Sequence, residues 1–308
     1  MLIDRYLHYR SKTTEGYRYT IENPLEIVKR NGFLKLSNGQ IYPFNKNNKD
    51  DVLSFVLFLL ENGIVTGSGT LQWKYYKDEG VIETHQGIRF SLERFHPTIM
   101  AETFLYDIHY AEHLENRVIV QAGGFTGDTA LYYASLGAKV YSFEPDINSY
   151  NLGLKNIGLN PKLLSKITFR NIAIGEDGFV DFPLSDSGGG DNSLFYNGKG
   201  KTFRVKSQSI SKVLSEYEIE SPYLLDLDIK GEEFTIINDE AIKKFERVRI
   251  EYSPYLLKSK EASLILLKDK LREQGFTDFR IFKHNYGRWD LMNIGTLEAS
   301  RKDVVGGK

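Results

Sequence analysis

One stretch, from Arg117 to Asp146, constrains this chain more than any other part of it. It begins with the short apolar run Val118 to Val120, which is too brief for a helix and is typical of a strand buried on both faces. Glycines follow at positions 123, 124 and 127, where they allow a tight turn and let a ligand approach the backbone. This run therefore predicts a buried strand that ends in a ligand-binding turn.

The residues after the turn extend the same pattern. Asp128 to Leu136 predicts a helix that stops at Gly137, and the acid suits the positive end of the helix dipole. Residues 139–143 predict a second buried strand, and Glu144 stands at its carboxyl end. Strand, glycine turn, helix, strand and acid make up half of a nucleotide-binding α/β fold, whose ligand lies at the carboxyl ends of the strands.

The turn also bears on which nucleotide binds. Counted from Gly123, the dinucleotide fingerprint G-x-G-x-x-G needs glycines where this chain has Phe125 and Asp128. An aspartate at the start of the helix would repel a pyrophosphate, which that end normally attracts. S-adenosylmethionine has no phosphate, carries positive charge, and still offers ribose hydroxyls to Glu144. The residues therefore favour S-adenosylmethionine, and they oppose the rival interpretation of an NAD-dependent oxidoreductase.

Composition narrows the class of protein. The chain has 308 residues, 41% hydrophobic and 26% charged, which is ordinary for a soluble globular protein. Its net charge of -1 offers no electrostatic case for nucleic acid or an anionic membrane as a partner. It has no cysteine, so disulfides, cysteine-ligated zinc and thiol nucleophiles are excluded.

The distribution of apolar residues predicts a cytoplasmic protein without a membrane span. The longest apolar run, Val52 to Leu60, is broken only by Ser54 and falls short of the roughly 20 residues that a span needs. The first residues, MLIDRYLHYRSK, turn polar too early for a cleavable signal.

Residues 1–115 are expected to form an α+β cap packed on the core, because no Pro/Gly/Ser-rich linker separates the two regions. Within the cap, the helix that begins at Asp50 is apolar nearly all round, which favours burial over a partner interface. The other predicted elements are a short helix over 24–30, a hairpin around 37–39, short strands between 70 and 92, and a helix from Pro97 to about His109.

Residues 116–308 alternate strands and helices after Glu144. The predicted helices are 148–158, 209–217, 233–245 and 261–274, the further strands are 167–174, 223–228 and 247–252, and the final antiparallel pair is 279–283 with 291–297. Residues 179–206 interrupt the alternation around a glycine-rich centre, as a mobile loop over a site or as an exposed hairpin. The fold class is therefore α/β: a Rossmann-like seven-stranded sheet, mostly parallel, with an antiparallel C-terminal hairpin.

Four motifs in order carry a resemblance to a known family. They are QAGGFTGDT at 121–129, Glu144-Pro145, DLDIKGEE at 226–233, and Ile250-Glu251. In these motifs the chain resembles FkbM-family methyltransferases, S-adenosylmethionine-dependent O-methyltransferases that typically read D-x-G-A-x-x-G-D-T, an acid with proline, K-x-D-x-E-G-x-E, and I-E. The likeness covers residues 80–252, with a looser match at Glu102 to Phe104.

The resemblance implies S-adenosylmethionine as cofactor and assigns roles to particular residues. Residues 123–128 would embrace its methionine part, Glu144 would accept hydrogen bonds from both ribose hydroxyls, and Asp228 would face the methyl group. Residues 171–173 would lie along the adenine, although an ordinary strand end is an equal interpretation there. The implied cofactor-binding residues are Gln121, Gly123, Gly124, Phe125, Thr126, Gly127, Asp128, Thr129, Glu144, Pro145, Asn171, Ile172, Ala173, Asp228 and Glu102.

The family's activity implies methyl transfer to a hydroxyl, most simply of a saccharide or glycan precursor. Such a transfer needs the acceptor aligned with the methyl group and one proton removed. The implied catalytic residues are Asp228 as leading base, Lys230 to stabilise the developing alkoxide, and Glu251. His284 is a further candidate base for which a structural hydrogen bond is the favoured role.

The chain departs from the family pattern at three positions. Gln121 replaces an aspartate, and it can hydrogen-bond the amine of the cofactor but contributes no charge. Asp226 and Lys230 stand where the family has lysine and glutamate, so either the two form an ion pair of reversed polarity or both point into the acceptor pocket. The rival hypothesis is a non-catalytic cofactor-binding or assembly protein of the same fold.

The sequence predicts no metal site. His109 and His113 would share one face of a helix at a spacing that can bind zinc, but they lack the HExxH order and a third ligand. The expected partner is a small-molecule or glycan acceptor, with neither nucleic acid nor a membrane span. A homo-oligomer and a monomer both remain open.

Overall fold

The computed structural model describes residues 21–64, 73–183, 202–257, 263–282 and 295–301. The chain divides into two compact units, residues 1–105 and 106–308. The sequence placed a domain boundary between residues 115 and 116, ten positions later. That the first unit caps the second remains a proposal.

The described residues of the N-terminal unit form two small antiparallel sheets and two α-helices. The elements are β1 (Gly32–Lys35), β2 (Ile41–Phe44), α1 (Lys49–Glu61), β3 (Lys74–Tyr76), β4 (Val81–Glu83), β5 (Arg89–Ser91) and α2 (Pro97–Phe104). β1 pairs with β2 across a turn in which Gly39 has φ +87°, so the predicted hairpin is confirmed. The short N-terminal helix is a 3₁₀ helix over Pro24–Val28.

Helix α1 is buried on nearly all sides, as its apolar sequence predicted. Every residue from Val52 to Leu60 except Ser54 is at most 5% exposed. Its aromatic rings pack edge-to-face within the same unit, Phe58 against Trp73 and Phe55 against Phe95, with centroids 5.0 and 5.4 Å apart.

Helix α2 is shorter than the sequence indicated. The side chain of His96 accepts a hydrogen bond from the backbone N–H of Ile99, which caps the start. The helix ends at Phe104 and not at His109, because Asp107 has a left-handed backbone (φ 50°) that interrupts helical hydrogen bonding. Glu102 lies on this helix, buried, in the N-terminal unit, and its role as a cofactor contact remains a prediction.

The C-terminal unit contains the main sheet. Its elements are β6 (Val118–Ala122), α3 (Asp128–Ser135), β7 (Lys139–Phe143), α4 (Ile147–Gly158), β8 (Ile167–Arg170), β9 (Ala173–Ile174), β10 (Gly178–Pro183), β11 (Thr202–Gln208), α5 (Ile210–Glu216), β12 (Leu224–Leu227), α6 (Glu233–Ile236), β13 (Arg247–Tyr252), α7 (Leu264–Glu273), β14 (Asp278–Phe282) and β15 (Gly295–Ser300).

Seven of these strands form one sheet in the order β14-β15-β13-β12-β6-β7-β8. The five from β13 to β8 run parallel, and β15 and β14 are antiparallel at the edge. The predicted fold class is therefore confirmed: a Rossmann-like seven-stranded sheet that is mostly parallel and ends in an antiparallel hairpin. Residues 291–294 of the predicted last strand lie outside the described residues.

The two faces of this sheet differ sharply in polarity. One face carries Leu225 and Leu227 beside Val248 and Ile250, and it packs against α5, α6 and α7 to form the main apolar core. The opposite face carries Asp226, whose register neighbours are Gln121 on β6 and Arg249 on β13. Since side chains alternate along a strand, this pairing places one neutral polar and two charged side chains in one row across the sheet. We call it the polar face.

Two predicted elements are interrupted. The strand predicted over 167–174 breaks into β8 and β9, and β9 joins β11 in a separate three-stranded sheet with β10. The helix predicted over 233–245 splits into α6 and a 3₁₀ helix, because the Asp239 carboxylate accepts the backbone N–H of Ala241 and starts a new turn. The glycine-rich centre of the 179–206 excursion lies outside the described residues.

None of the helices within the described ranges combines the length and the apolar character that crossing a membrane requires. In the same ranges, no cluster of three or more His, Cys, Asp or Glu side chains could hold a metal ion.

Candidate active site

The predicted glycine turn joins β6 to α3 and packs tightly against the end of β12. Gly123 has φ +87°, and a Cβ there would lie 2.0 Å from the carbonyl oxygen of Asp228. The N–H groups of Gly123 and Gly124 both donate to the carbonyl oxygen of Phe143, each at 3.0 Å. Glycine at 123 therefore allows the close approach that brings the turn, β7 and Asp228 together.

Glu144 lies at the carboxyl end of β7 with its carboxylate directed to this turn. One oxygen accepts the backbone N–H of Phe125 and the other accepts that of Asp146, both at 2.7 Å. Burial raises the pKa of Glu144 to about 8. Each carboxylate oxygen has a second acceptor position, so the group can also receive two hydroxyl donors such as those of a ribose.

Asn171 positions the segment that carries Glu144. Its side-chain amide donates to the carbonyl oxygens of Glu144 and Pro145, both at 2.8 Å. The neighbouring Ile172 and Ala173 are buried. The turn, Glu144 and residues 171–173 therefore lie together, and their contact with the adenosine of a cofactor remains a prediction.

Acid and hydroxyl side chains occupy the N-terminus of α3. The Asp128 carboxylate is buried and accepts from the hydroxyls of Thr126 and Thr129, at 3.4 and 3.2 Å. It already complements the positive end of the helix, the position a pyrophosphate would need. These residues fit a cofactor that carries positive charge and no phosphate.

Gln121 lies on the polar face beside β7. Its side-chain oxygen accepts the hydroxyl of Ser142 at 2.8 Å, and the residue is 2% exposed. The amide thus has a partner within the sheet, and its predicted bond to the amine of the cofactor remains untested.

The three predicted catalytic residues lie together at the carboxyl ends of β12 and β13. The Lys230 ammonium is 2.6 Å from a Glu251 carboxylate oxygen and 3.9 Å from one of Asp228. Asp228 is 35% exposed, whereas Lys230 and Glu251 are 17% and 8% exposed. Asp228 is therefore the most accessible member of this cluster, which adjoins the glycine turn.

The predicted ion pair between Asp226 and Lys230 is wrong. Asp226 instead accepts two hydrogen bonds from Arg249, at 3.1 Å from Nε and 2.6 Å from Nη2. Arg249 is the register neighbour of Asp226, whereas Lys230 follows the end of β12 and reaches Glu251. Asp226 thus pairs with the cation that the sheet register places opposite it, whereas Glu251 pairs with a lysine from the segment that follows β12.

Further contacts complete this buried pair. The Tyr133 hydroxyl donates to Asp226 at 3.0 Å, and Arg249 donates to the carbonyl oxygen of Ile108 at 2.9 Å and contacts the ring of His109. Asp226 and Arg249 are 1% and 5% exposed. The alternation in RVRIEY at 247–252 could have indicated that Arg249 shares a face with Glu251.

Glu233 is a structural residue that the sequence analysis did not single out. Its carboxylate accepts the backbone N–H groups of Gly231 and Ser253, both at 2.6 Å, and burial raises its pKa to about 8. It therefore ties the loop that carries Lys230 to the strand end that carries Glu251. The sequence could have indicated this residue, because Glu233 is the last acid of the DLDIKGEE motif.

The two histidines considered for zinc do not share a helical face. Residues 109–113 are not helical, and His113 has φ 56°. His109 instead lies between Arg249 and the hydroxyl of Thr129, 3.5 Å from its Nε2. The candidate base His284 lies outside the described residues.

Comparison with solved structures gives distant likenesses. Magnesium protoporphyrin IX methyltransferase from Synechocystis PCC 6803, crystallised with bound SAM, is 14% identical with a TM-score of 0.38, and the alignment covers 67% of this chain and 78% of that one. The METTL16 methyltransferase domain is 17% identical with a TM-score of 0.43, and the alignment covers 90% of this chain and 89% of that one. The putative transferase PH0793 from Pyrococcus horikoshii is 15% identical with a TM-score of 0.42, and the alignment covers 80% of this chain and 82% of that one.

Sequence comparison gives a family. No curated protein matches the chain. The profile of the methyltransferase FkbM domain matches residues 116–277, which include the glycine turn, Glu144 and the Asp228–Lys230–Glu251 cluster. The chain therefore belongs to the FkbM methyltransferase family and is a methyltransferase that uses S-adenosylmethionine.

Proposed function

We propose that this protein transfers the methyl group to a hydroxyl, and that the acceptor is a saccharide or glycan precursor. The observation that carries the proposal is the cluster of Asp228, Lys230 and Glu251 beside the glycine turn. It offers an accessible carboxylate as base next to a cation. The choice of a saccharide is supported by the family's motifs, and the net charge of -1 gives nucleic acid no electrostatic advantage as acceptor.

The cofactor would be held along the carboxyl ends of β6 and β7. Glu144 would accept from the ribose hydroxyls, because each of its oxygens keeps an acceptor position beside the backbone donors. The turn from Gly123 to Asp128 would surround the methionine part. When bound, S-adenosylmethionine supplies an electrophilic methyl group on a positively charged sulfur.

Asp228 would accept the proton of the acceptor hydroxyl as its oxygen bonds to the methyl carbon and the bond from that carbon to sulfur breaks, which would leave S-adenosylhomocysteine. An uncharged hydroxyl is a weak nucleophile, so a carboxylate within hydrogen-bond reach assists the reaction. Lys230 would stabilise the negative charge that develops on the oxygen, and Glu251 would hold the ammonium in place through their 2.6 Å contact. Glu233 would fix the spacing of the two segments through its bonds to Gly231 and Ser253.

The test combines cofactor binding with a transfer assay. The purified chain is titrated with S-adenosylhomocysteine by calorimetry, and tritiated S-adenosylmethionine is then supplied with a panel of free and nucleotide-linked sugars. We expect label in a sugar product whose methyl group is assigned to oxygen by NMR. Asp228→Asn should lower the rate of methyl transfer by at least ~10²-fold, in line with loss of a general base. The affinity of this variant for S-adenosylhomocysteine should stay within about two-fold of the original value.

A matched control is Asp269→Asn, since Asp269 is exposed on α7 and, among the residues that the structure describes, forms an ion pair with Arg272 one turn away. This variant should retain full transfer. Methyl transfer to nitrogen, or full activity of Asp228→Asn, would contradict the proposal. Tight binding of S-adenosylhomocysteine with no transfer to any sugar would favour the rival, a non-catalytic cofactor-binding protein with Gln121 in place of the family's aspartate.

A further inference from the structure

The segment that opens the C-terminal unit is fastened to two elements of the main fold. The guanidinium of Arg249 on β13 donates to the carbonyl oxygen of Ile108 at 2.9 Å. The hydroxyl of Tyr132 on α3 donates to the Asp107 carboxylate at 3.4 Å. This segment precedes residues 116–277, so any role of its side chains lies outside the region that matches the family profile.

His109 lies in this segment with its ring against α3. It is 6% exposed, and its ring meets the ring of Tyr133 edge-to-face, with centroids 6.4 Å apart. Its Nδ1 contacts Nη2 of Arg249, and its Nε2 lies 3.5 Å from the hydroxyl oxygen of Thr129. The imidazole therefore connects a guanidinium that is fixed on β13 to the first turn of α3.

The chemistry of the two ends fixes where the protons of this hydrogen-bonded chain lie. A guanidinium has only donors, so Nδ1 of His109 accepts from Arg249. A neutral imidazole carries its proton on the other nitrogen, so Nε2–H donates to the oxygen of Thr129. The hydroxyl of Thr129 then donates to the Asp128 carboxylate at 3.2 Å, which as an anion only accepts.

The opposite tautomer would break this chain. With a proton on Nδ1, the ring of His109 would oppose the guanidinium, and its bare Nε2 would compete with Asp128 for the Thr129 hydroxyl. Asp128 would then lose the Thr129 donor, while the hydroxyl of Thr126 would remain 3.4 Å away. Because Asp128 is 2% exposed, water does not readily replace a lost donor there.

We propose that His109 is a positioning residue for the cofactor. Arg249 sets the tautomer of His109, and the resulting Nε2–H turns the Thr129 hydroxyl onto the Asp128 carboxylate. This holds the carboxylate in place in the turn that would surround the methionine part of S-adenosylmethionine. The inference rests on the proposed placement of the cofactor, and it adds a residue that acts on that site through Thr129 and Asp128.

The first measurement is the tautomer itself. The full chain is produced with isotope-labelled histidine, and long-range proton–nitrogen correlation spectra distinguish a proton on Nδ1 from one on Nε2. The spectrum of His109→Asn identifies the signals of His109 among those of the six histidines. We expect Nδ1 without a proton and Nε2 with one. A proton on Nδ1, in the neutral or in the charged ring, would overturn the proposal.

Two amide variants separate the roles of the two nitrogens. The amide of His109→Asn reaches the place of Nδ1 and can still accept from Arg249, but it does not donate to Thr129. The longer His109→Gln brings an amide N–H to the place of Nε2. In calorimetry on the full chain, His109→Asn should weaken S-adenosylhomocysteine by about 3- to 10-fold, and His109→Gln should stay within about two-fold. His113→Asn, the same exchange at an exposed position, should leave the affinity unchanged.

The hydroxyl of Thr129 allows the coupling to be measured. Thr129→Val keeps the shape of the side chain, removes the hydroxyl, and should weaken S-adenosylhomocysteine by a similar factor. The double variant with His109→Asn should bind no more weakly than Thr129→Val alone, because both changes break one chain. A merely structural role of His109 would instead give independent losses that multiply. Should His109→Asn fail to fold, Thr129→Val identifies the His109 signals by their shift, and the tautomer then decides.

Glu144→Ala separates a failure of this proposal from a failure of the cofactor's placement. If Glu144→Ala weakens S-adenosylhomocysteine but His109→Asn does not, or if the losses at positions 109 and 129 multiply, the role of His109 is refuted and the placement stands. If Glu144→Ala, Thr129→Val and His109→Asn all leave the affinity unchanged, the cofactor lies elsewhere and the proposal falls with its placement.

Discussion

The buried pair of Asp226 and Arg249 allows a quantitative test of how the polar face is held together. Asp226 accepts from Arg249 at 3.1 and 2.6 Å and from Tyr133 at 3.0 Å, with both charges almost fully buried. Asp226→Leu should strand the guanidinium in a dry environment and lower the free energy of unfolding by about 3–5 kcal/mol, and Arg249→Met should strand the carboxylate at a similar cost.

The double variant leaves no unpaired charge. The double variant should therefore lose much less free energy of unfolding than the two single variants lose together, with a coupling energy of at least ~2 kcal/mol. The measurement is urea unfolding followed by circular dichroism, with stabilities compared only where the dependence on urea is unchanged. Both residues lie in the C-terminal unit, so the transition of that unit reports the effect.

Lys230 supplies the internal control. A second cycle combines Asp226→Leu with Lys230→Met, and since Lys230 contacts Glu251 and Asp228, its coupling to Asp226 should stay below about 0.5 kcal/mol. A coupling below about 0.5 kcal/mol between Asp226 and Arg249, or equal couplings in the two cycles, would refute the reasoning.

Three further predictions concern the cofactor and the buried acids. S-adenosylhomocysteine should stabilise the protein in thermal melting by about 2.7 kcal/mol at 100 times its dissociation constant, whereas NAD should not, and a comparable shift with NAD would contradict the cofactor fit at Asp128. Glu144→Ala should weaken S-adenosylhomocysteine at least ~10-fold in calorimetry, since two hydrogen bonds to its carboxyl oxygens are lost, and unchanged affinity would place the ribose elsewhere. Burial raises the pKa values of Glu144 and Glu233 from 4.5 to about 8, so between these pH values the folded state holds protons that the unfolded state has released. The free energy of unfolding should therefore fall as pH rises from 4.5 to 8, and Glu233→Gln should flatten that slope; an identical slope in the variant would count against the raised pKa.

Local patterns were sufficient for the architecture. The apolar runs at 118–120, 139–143 and 247–252 predicted buried parallel strands, and these lie within β6, β7 and β13. Side-chain alternation and glycine turns depend on neighbouring residues along the chain, so the sequence states them directly. Where local signals were weaker, boundaries shifted: α2 ends five residues early, at Phe104, and Asp107 beyond it has a left-handed backbone that a helix does not accommodate.

The sequence predicted which residues form the candidate site, but it did not predict all of their hydrogen-bond and ion-pair partners. The motifs placed Glu144 at a strand end and Asp228, Lys230 and Glu251 in one region, and the structure brings these four to the carboxyl edge of the sheet. The motifs did not state that the amide of Asn171 serves the backbone of Glu144, because that bond spans 27 positions of sequence.

The sequence by itself thus determined the order of the elements, the glycine turn and the identity of the acids, because each follows from the preferences of neighbouring residues. Only the tertiary structure decided which charges pair. Asp226 meets Arg249 across 23 positions because the register of β12 against β13 places them side by side, and Lys230, in the segment after β12, meets Glu251 across 21. Such a register is set by the packing of the whole sheet on its helices, and no short stretch of the chain specifies it.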